Sequence, residues 1–347
     1  MTLRRFHGPW NLTDLATVPK NGLTAFSCFH CGGGSTMGYK LAGFNMLGGV
    51  EIDPEMMAIY RANHKPKHSY LMSVQHFNKL PLDSLPDELK NLDLLDGSPP
   101  CSVFSMAGKR EKKWGGEHHF REGQQKQRLD DLFMHFIEVG QRLQPKVIVA
   151  ENVKGLILGN AKGYVKEIFA AFREAGYDTQ LFLFNAARMG VPQARERTFF
   201  IARRQDLRWG KLEMRFEERP VSVKEAWEGM PPQTANRLIP ETERLWKLAK
   251  PGQAMSEVEN RGKGFNNYKI KWEEPSGTIP SSKSMYHPME PRMLSGGEIL
   301  RLQTFPDDYK SGRLGARYFC GMSVPPYMTQ RVALEIGRQW FGIEYDP

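Results

Sequence analysis

Residues 23–34 read LTAFSCFHCGGG, an apolar run that passes directly into a glycine-rich turn. The apolar residues predict a short buried strand, and the residues after the turn predict a helix. Glycines at such a junction let the backbone approach a ligand closely, and a helix N-terminus favours polar or anionic groups. The next predicted strand, 46–52, contains Glu51 at its end, which is where an acid can bind ribose hydroxyls. A glycine-rich turn followed by a surface acid is the simpler alternative.

Strand and helix patterns alternate up to about residue 205. Further strands are predicted at 91–96, 146–151, 180–185 and 197–203, and further helices at 55–63, 128–143 and 163–176. Short apolar strands alternating with helices indicate an α/β fold whose parallel sheet is covered on both faces. Residues 206–290 lack a steady period and contain paired prolines and many glycines, which predicts a second, smaller unit rich in loops.

The composition limits the class of protein. The chain has 347 residues, of which 40% are apolar and 25% charged, so it can bury a sizeable core and is not wholly disordered. It has neither an apolar run of the roughly 20 residues that a membrane span needs nor an apolar secretory segment behind its first arginines. We therefore expect a soluble intracellular protein. Lysine and arginine exceed the acids by nine, which favours a polyanionic partner.

The four cysteines, Cys28, Cys31, Cys101 and Cys320, are too few for a disulfide framework. Cys28 and Cys31 form a C-x-x-C pair that could be redox-active or half of a zinc site, but a second pair at metal spacing is missing. We favour two small residues in a tight turn and predict no metal. Cys101 instead follows Asp96-Gly-Ser-Pro-Pro just past a strand end, where open α/β sheets bind ligands, and this context indicates a reactive thiol.

Two further polar groups follow predicted strands. Glu151, in KVIVAEN, projects toward the same sheet edge as Cys101, unless Asn152 merely caps a helix beside a solvated acid. Gln193, Arg195 and Arg197 alternate at the opening of the last strand. Alternate residues share a face of a strand, so the three would offer donors to a base edge or a phosphate. A polar edge strand paired with neighbouring acids explains the same pattern equally well.

Taken in order, these blocks resemble the DNA (cytosine-5)-methyltransferases of prokaryotes and phages. The resemblance covers nearly the whole chain, in the blocks Phe29–Gly34, Pro100-Cys101, Glu151-Asn152-Val153, Gln193-x-Arg195-x-Arg197, Arg292 to Asp307 and Gly321 to Pro325. It implies a Rossmann-like methyltransferase fold with a mostly parallel sheet and a smaller, loop-rich target-recognition domain. The catalytic domain would be discontinuous, over 1–205 and 314–347, and the target-recognition domain would occupy 206–313.

The resemblance also implies a mechanism and a methyl donor, S-adenosylmethionine. Cys101 would add to carbon 6 of a cytosine flipped out of double-stranded DNA, because carbon 5 alone is a poor nucleophile. Glu151 would contact ring N3 and the exocyclic amine, while Arg195 and Arg197 would hold the base O2 and the loop. Glu51 would bind the ribose hydroxyls, and Ile52 would pack on adenine. The implied cofactor-binding residues are Phe29, Cys31, Gly32, Gly34, Glu51, Ile52, Ser98, Pro100, Met322 and Ser323.

DNA contacts are implied in three places. The stretch 102–128, with a net charge of +4 from seven basic and three acidic residues, would close over the DNA. A basic run lies in the recognition region, and a Pro-Ser-Gly-Thr turn ends it. The implied DNA-binding residues are Ser105, Lys109, Arg110, Gln193, Arg261, Lys263 and Thr278.

Three positions depart from the family pattern, all around the expected donor pocket. Cys31 replaces a glycine, Met322 replaces an asparagine, and the acid expected near Met72 is absent. One alternative is therefore a modified adenosylmethionine carrying a group larger than methyl. Others are a tRNA cytosine-5 methyltransferase on the same fold, whose Cys-Phe-Thr motif is absent here, and a catalytically inert DNA-binding regulator.

We expect a monomer in the cytoplasm of a bacterium or phage-infected host, associated with the nucleoid and not with membranes. A companion restriction endonuclease is compatible with this setting.

Overall fold

The fold is given by a computed structural model. It describes residues 3–5, 7–100, 117–118, 127–128, 132–158, 162–260, 267–282 and 285–346.

A seven-stranded sheet forms the centre of the molecule. Its strands are β1 Thr24–Cys28, β2 Asn45–Glu51, β3 His68–Leu71, β4 Leu94–Gly97, β5 Val147–Val153, β6 Tyr177–Asn185 and β7 Glu196–Arg204. Their order across the sheet is β3-β2-β1-β4-β5-β7-β6. The first five strands are parallel to one another, and β7 is antiparallel to both of its neighbours, β5 and β6. The predicted mostly parallel α/β sheet is confirmed.

Eleven helices are found in the part of the chain that the structure describes. They are α1 Gly34–Leu41, α2 Pro54–His64, α3 Val74–Lys79, α4 Asp87–Lys90, α5 Leu132–Leu143, α6 Lys162–Glu174, α7 Val223–Ala226, α8 Pro240–Leu248, α9 Gly296–Leu302, α10 Gly315–Met322 and α11 Pro326–Phe341. None of them is long and apolar enough to cross a membrane.

The alternation of side chains along the strands produces one apolar core on each face of the sheet. On one face, Leu94 and Val149 pack with α1 and α11. On the other, Leu95 and Ile148 pack with α3, α5 and α6. The C-terminal helix α11 thus covers the same face as the first helix, α1.

Two features of the sheet differ from the sequence-based expectation. The strand β3 was not predicted because it is short, only partly buried and polar at its start, so it lacks the apolar run that marks the other strands. The last two strands break the parallel pattern, since β7 returns antiparallel between β5 and β6. Consequently β7 begins, rather than ends, at the edge where the parallel strands end.

The predicted loop-rich region contains some regular structure of its own. The helices α7 and α8 lie in it, and Leu245, Trp246 and Met255 belong to a separate small apolar cluster. A two-residue strand, Gln193–Ala194, pairs in parallel with Ser276–Gly277 and so ties this region to the residues that precede β7. Further two-residue pairs join Leu3–Arg4 to Tyr345–Asp346, Glu117–His118 to Gln127–Arg128 and Tyr268–Lys269 to Met285–Tyr286.

Candidate active site

Four predicted site segments meet at the carboxyl edge of the parallel strands. The strand β1 leads into the glycine turn, β2 ends on Glu51, β4 ends on Gly97, and Glu151 lies near the end of β5. Gly97 pairs in register with Ala150, so Ser98 to Pro100 leave the sheet beside Glu151. Open α/β sheets bind their ligands at this edge.

Glu151 and Arg197 form a buried ion pair at the centre of this edge. Arg197 Nε lies 2.9 Å from Glu151 Oε1, and the two side chains are 13% and 9% exposed. The pair follows from the strand register, because Arg197 on β7 stands opposite Val153 on β5. Arg197 also donates to the carbonyl of Glu196, over 2.8 Å, through Nη1. The carboxylate is thus held by one oxygen, and no described residue donates to the other, Oε2.

The start of the predicted nucleophile loop is fixed to the sheet. Asn152 donates from its amide to the carbonyl of Pro99 over 3.1 Å, and the Ser98 N–H donates to the carbonyl of Cys28 over 3.4 Å. Asn152 is therefore not a helix cap but an anchor for the turn that leads to Cys101. Cys101 itself lies outside the described residues, as do Ser105, Lys109, Arg110, Arg261 and Lys263.

The glycine turn has an unusual backbone. Phe29 and Cys31 both adopt the left-handed region, with φ of 54° and 50°, which non-glycine residues rarely occupy. A methyl group on Gly34 would lie 2.1 Å from the Val324 carbonyl oxygen, so only glycine permits this approach of the turn to the segment after α10. The turn is thus packed directly against Ser323, another predicted donor-pocket residue.

Glu51 holds the turn by hydrogen bonds to the backbone. Its Oε2 accepts from the Cys31 N–H over 2.9 Å, and its Oε1 accepts from the N–H groups of Ile52 and Asp53 over 2.9 and 3.0 Å. A carboxylate has about four acceptor sites, so these three bonds leave room for one more. Burial raises the pKa of Glu51 to about 7 despite these N–H donors.

The remaining predicted donor-pocket residues surround the turn. Cys31 lies beside Met56, with 3.6 Å between the two sulfur atoms, and burial raises the pKa of its thiol to about 12. Met322, at the end of α10, is 39% exposed, and Ile52 and Met72 are half-buried. Phe29, Ser98 and Pro100 are also half-buried, whereas Gly32 is buried.

Cys28 and Cys31 are separate free thiols in this arrangement. Cys28 is buried in the core on the α5 face of the sheet, while Cys31 packs against the core on the α1 face. A tight turn that contains two small residues describes them better than a redox pair does.

Asp96 is a buried acid of this edge that the sequence did not single out. Its Oδ2 accepts from the hydroxyls of Ser27 and Ser35 over 2.6 and 2.7 Å, and its Oδ1 accepts from Tyr39 over 3.2 Å. The three donors come from β1 and α1, so Asp96 joins the strand before the glycine turn and the helix after it to β4, the strand that leads to Cys101. Burial raises its pKa from 3.8 to about 6, although the three hydroxyls act in the opposite direction.

We expect Asp96→Asn to change how stability depends on pH. Because the folded pKa of Asp96 is raised, ionised Asp96 costs folding free energy above about pH 6, and this cost disappears as the pH falls toward about 4. The wild type should therefore gain about 2 to 3 kcal/mol relative to Asp96→Asn over that window. Urea unfolding of both proteins between about pH 8 and about pH 4 measures the difference. Parallel pH profiles for the two proteins would contradict the assignment.

Two of the three predicted donors on the last strand do not face outward. Gln193 is fully buried, and its amide bonds to Gln303, the Leu302 carbonyl and the Ile279 N–H, so the structure does not support a direct DNA contact for it. Arg195 is 2% exposed and donates to the carbonyls of Ile279 and Gly321. The chain crosses from a short strand to β7 at this point, so the three side chains do not share one open face.

Thr278 is exposed at the turn that ends the predicted recognition region. Its hydroxyl donates to the carbonyl of Ala194 over 3.1 Å, which holds the turn against the residues that precede β7. The turn therefore holds an exposed threonine in a fixed position.

A protein-family model matches the sequence of this chain from β1 into α11. The model of the C-5 cytosine-specific DNA methylases matches residues 23–338. The chain belongs to this family. As a methylase of this family, it is a DNA (cytosine-5)-methyltransferase, and the predicted family and reaction class are confirmed.

Curated relatives of this methylase are type II methyltransferases. M1.HphI of Haemophilus parahaemolyticus is 30% identical over 336 residues, which cover 90% of this chain and 86% of the relative. M.Sau96I of Staphylococcus aureus is 30% identical over 346 residues, which cover 92% and 77%.

Solved structures confirm the Rossmann-like methyltransferase fold. A protein described as a DNA modification methyltransferase of an E. coli prophage aligns with a TM-score of 0.68 and 21% identity, over 92% of this chain and 99% of that one. A DNMT2 variant of Spodoptera frugiperda aligns with a TM-score of 0.64 and 16% identity, over 91% and 99%. At these identities the likeness concerns the fold alone.

Proposed function

We propose that this methylase acts on cytosine through Cys101, with Glu151 and Arg197 holding the base. The observation that carries the proposal is the Glu151–Arg197 ion pair, which stands beside the anchored residues Ser98 to Pro100. One carboxylate oxygen is fixed by Arg197, and the other has no donor among the described residues. A base placed at this edge can therefore hydrogen-bond to Oε2.

The chemistry begins with the ring of the base. The Cys101 thiolate adds to carbon 6, forming a carbon–sulfur bond, and the electrons of the 5,6 double bond move to carbon 5. Glu151, which carries a proton to ring N3, favours this addition because it neutralises the charge that develops on the ring. Carbon 5 then bonds to the methyl group that the donor would supply. A base removes the carbon 5 proton, the electrons of that carbon–hydrogen bond re-form the 5,6 double bond as the thiolate leaves, and the N3 proton returns to Glu151. This step releases the product and regenerates the Cys101 thiolate.

Arg197 performs two tasks in this arrangement. Its Nε fixes the carboxylate, and Nη1 is engaged by the carbonyl of Glu196. Nη2 donates to no residue in the described part of the chain, so this nitrogen can donate to the base O2. Because the target atom is unreachable inside a duplex, the cytosine must be flipped into this site.

The residues around the glycine turn fit S-adenosylmethionine. Glu51, at the end of β2, accepts three backbone hydrogen bonds and has one acceptor site left, which a ribose hydroxyl can fill. Phe29, Ile52 and Met72 offer half-buried apolar surface next to it. When bound, S-adenosylmethionine supplies an electrophilic methyl group. Cys31, Gly32, Gly34, Ser98, Pro100, Met322 and Ser323 would complete the pocket.

Glu51→Gln is expected to weaken donor binding about 10- to 100-fold, the scale of one hydrogen bond to a charged acceptor. Since the pKa of Glu51 is about 7, donor affinity of the wild type should fall as the pH drops below 7, while that of the variant should stay flat. Titration calorimetry with S-adenosylmethionine at about pH 6 and about pH 8 tests both statements. Glu55→Gln, the same charge change in the first turn of α2, is the control. Equal affinity for S-adenosylmethionine in all three proteins would show that Glu51 does not bind the donor.

Several features beyond the reaction centre belong to the same proposal. Residues 206–313 form the target-recognition domain, and 1–205 with 314–347 form the catalytic domain. Thr278, which is exposed, contacts the DNA backbone, and Lys109, Arg110, Arg261 and Lys263 neutralise phosphates. We further propose a monomer that acts beside a companion restriction endonuclease.

Labelled methyl transfer from S-adenosylmethionine tests the function. We expect label in duplex DNA prepared from a methylation-free host and none in tRNA. Sequencing of the methylated DNA then gives the recognition site. Label in tRNA alone would replace the proposal with the tRNA reaction, and binding of DNA without transfer would indicate an inert regulator.

A further inference from the structure

Two buried glutamines join segments that are far apart in the sequence. Gln193 precedes β7, and Gln303 follows α9. Gln193 Nε2 donates to Gln303 Oε1 over 2.6 Å, and Gln303 Nε2 donates to the carbonyl of Ser323 over 2.8 Å. Both glutamines are 0% exposed. One end of this connection is thus Ser323, beside the glycine turn.

The other end of the connection is the turn that carries Thr278. The Ile279 N–H donates to Gln193 Oε1 over 3.0 Å, directly after the exposed Thr278. Three consecutive hydrogen bonds therefore run through the interior from the Thr278 turn to Ser323. We define these groups, Ile279 N–H, Gln193, Gln303 and the Ser323 carbonyl, as the glutamine relay.

Arg195 makes a second connection between the same two segments. It donates to the carbonyl of Ile279 over 3.4 Å and to the carbonyl of Gly321 over 3.0 Å, and it is 2% exposed. The Thr278 turn and the segment from Gly321 to Ser323 are therefore bridged twice. A displacement of one segment without the other would leave buried polar groups unpaired, which costs free energy.

We propose that Gln193 and Gln303 are positioning residues that couple DNA binding at the Thr278 turn to donor binding at Ser323. This inference rests on the proposed function of the two sites. DNA that fixes the turn also fixes the donor segment, so each ligand raises the affinity for the other. Coupling between binding sites is reciprocal, and its usual size is about 5- to 150-fold.

The test measures the dissociation constant of S-adenosylhomocysteine with and without a duplex that carries the sequence methylated by the wild type. We expect the wild type to bind about 5- to 150-fold more tightly with the duplex present. In Gln303→Met, which removes both amide bonds of Gln303 but leaves the Arg195 bridge in place, this ratio should fall well below that of the wild type. The affinity without DNA should change much less. The double variant Gln193→Met/Gln303→Met replaces the pair by two apolar side chains and should give the same ratio as Gln303→Met.

Gln330→Met is the matched control. Gln330 is also 0% exposed, but it lies on α11 and donates to the carbonyl of Leu41, outside the relay. It should keep the wild-type ratio. A wild-type ratio of one, an unchanged ratio in both relay variants, or an equal loss in Gln330→Met would overturn the inference. Methyl transfer by the wild type would stand in each of these cases, so the proposed function is tested separately.

Discussion

Cys101→Ala is expected to lower the rate of methyl transfer by a factor on the order of 10⁴ or more, the scale on which covalent catalysis loses its nucleophile. Without addition of the thiolate at carbon 6, carbon 5 of cytosine stays a poor nucleophile. DNA binding should be largely retained, because the substitution removes no charge. Transfer of labelled methyl groups under single-turnover conditions measures the loss.

A duplex that contains 5-fluorocytosine tests the same role of Cys101 by trapping a covalent protein–DNA adduct. Fluorine at carbon 5 blocks the final proton removal, so the wild type should remain covalently attached to the DNA and Cys101→Ala should not. Cys28→Ala is the control, since Cys28 is a free thiol buried in the core on the α5 face of the sheet. An adduct that persists in Cys101→Ala would contradict the role of this cysteine.

Glu151→Gln is expected to lower the rate of transfer by about 10²- to 10⁴-fold, the usual contribution of a positioned acid or base. The amide can still accept a hydrogen bond from Arg197 Nε, but it cannot carry a proton to ring N3. It also leaves the buried guanidinium of Arg197 without its counter-charge, so the melting temperature has to be compared as well.

Glu151→Asp separates the chemical effect from the loss of charge. Aspartate keeps the ion pair's charge but withdraws the carboxylate from the base, so we expect a folded protein with a rate between those of the wild type and Glu151→Gln. Binding of DNA and donor should change little in either variant. Wild-type rates in Glu151→Gln would exclude Glu151 from the chemistry.

Much of the sheet could be predicted because each central strand is a short apolar run. Leu94 and Val149, for example, are buried members of such runs. Strand direction leaves no such mark in the sequence, which is why the antiparallel return of β7 was not foreseen. The edge strand β3 is partly buried and polar at its start, so it lacks the apolar run altogether.

The site could be predicted where its residues stand at strand ends. Glu51 and Glu151 are found at the expected edge, and the register pairs Arg197 opposite the end of β5. The role of Asp96 could not be predicted, because its three hydrogen-bond partners are hydroxyls from two other elements. The buried position of Gln193 could not be predicted, because its partner Gln303 lies 110 residues away and no local pattern reports such a contact.

We propose that this methylase modifies carbon 5 of cytosine in DNA through Cys101. Nucleoside mass spectrometry of DNA from a methylation-free host that expresses the chain tests it most directly. We expect 5-methylcytosine in cells with the wild type and none in cells with Cys101→Ala. Unmodified DNA from wild-type cells, or cytosine that carries only a larger group, would contradict it.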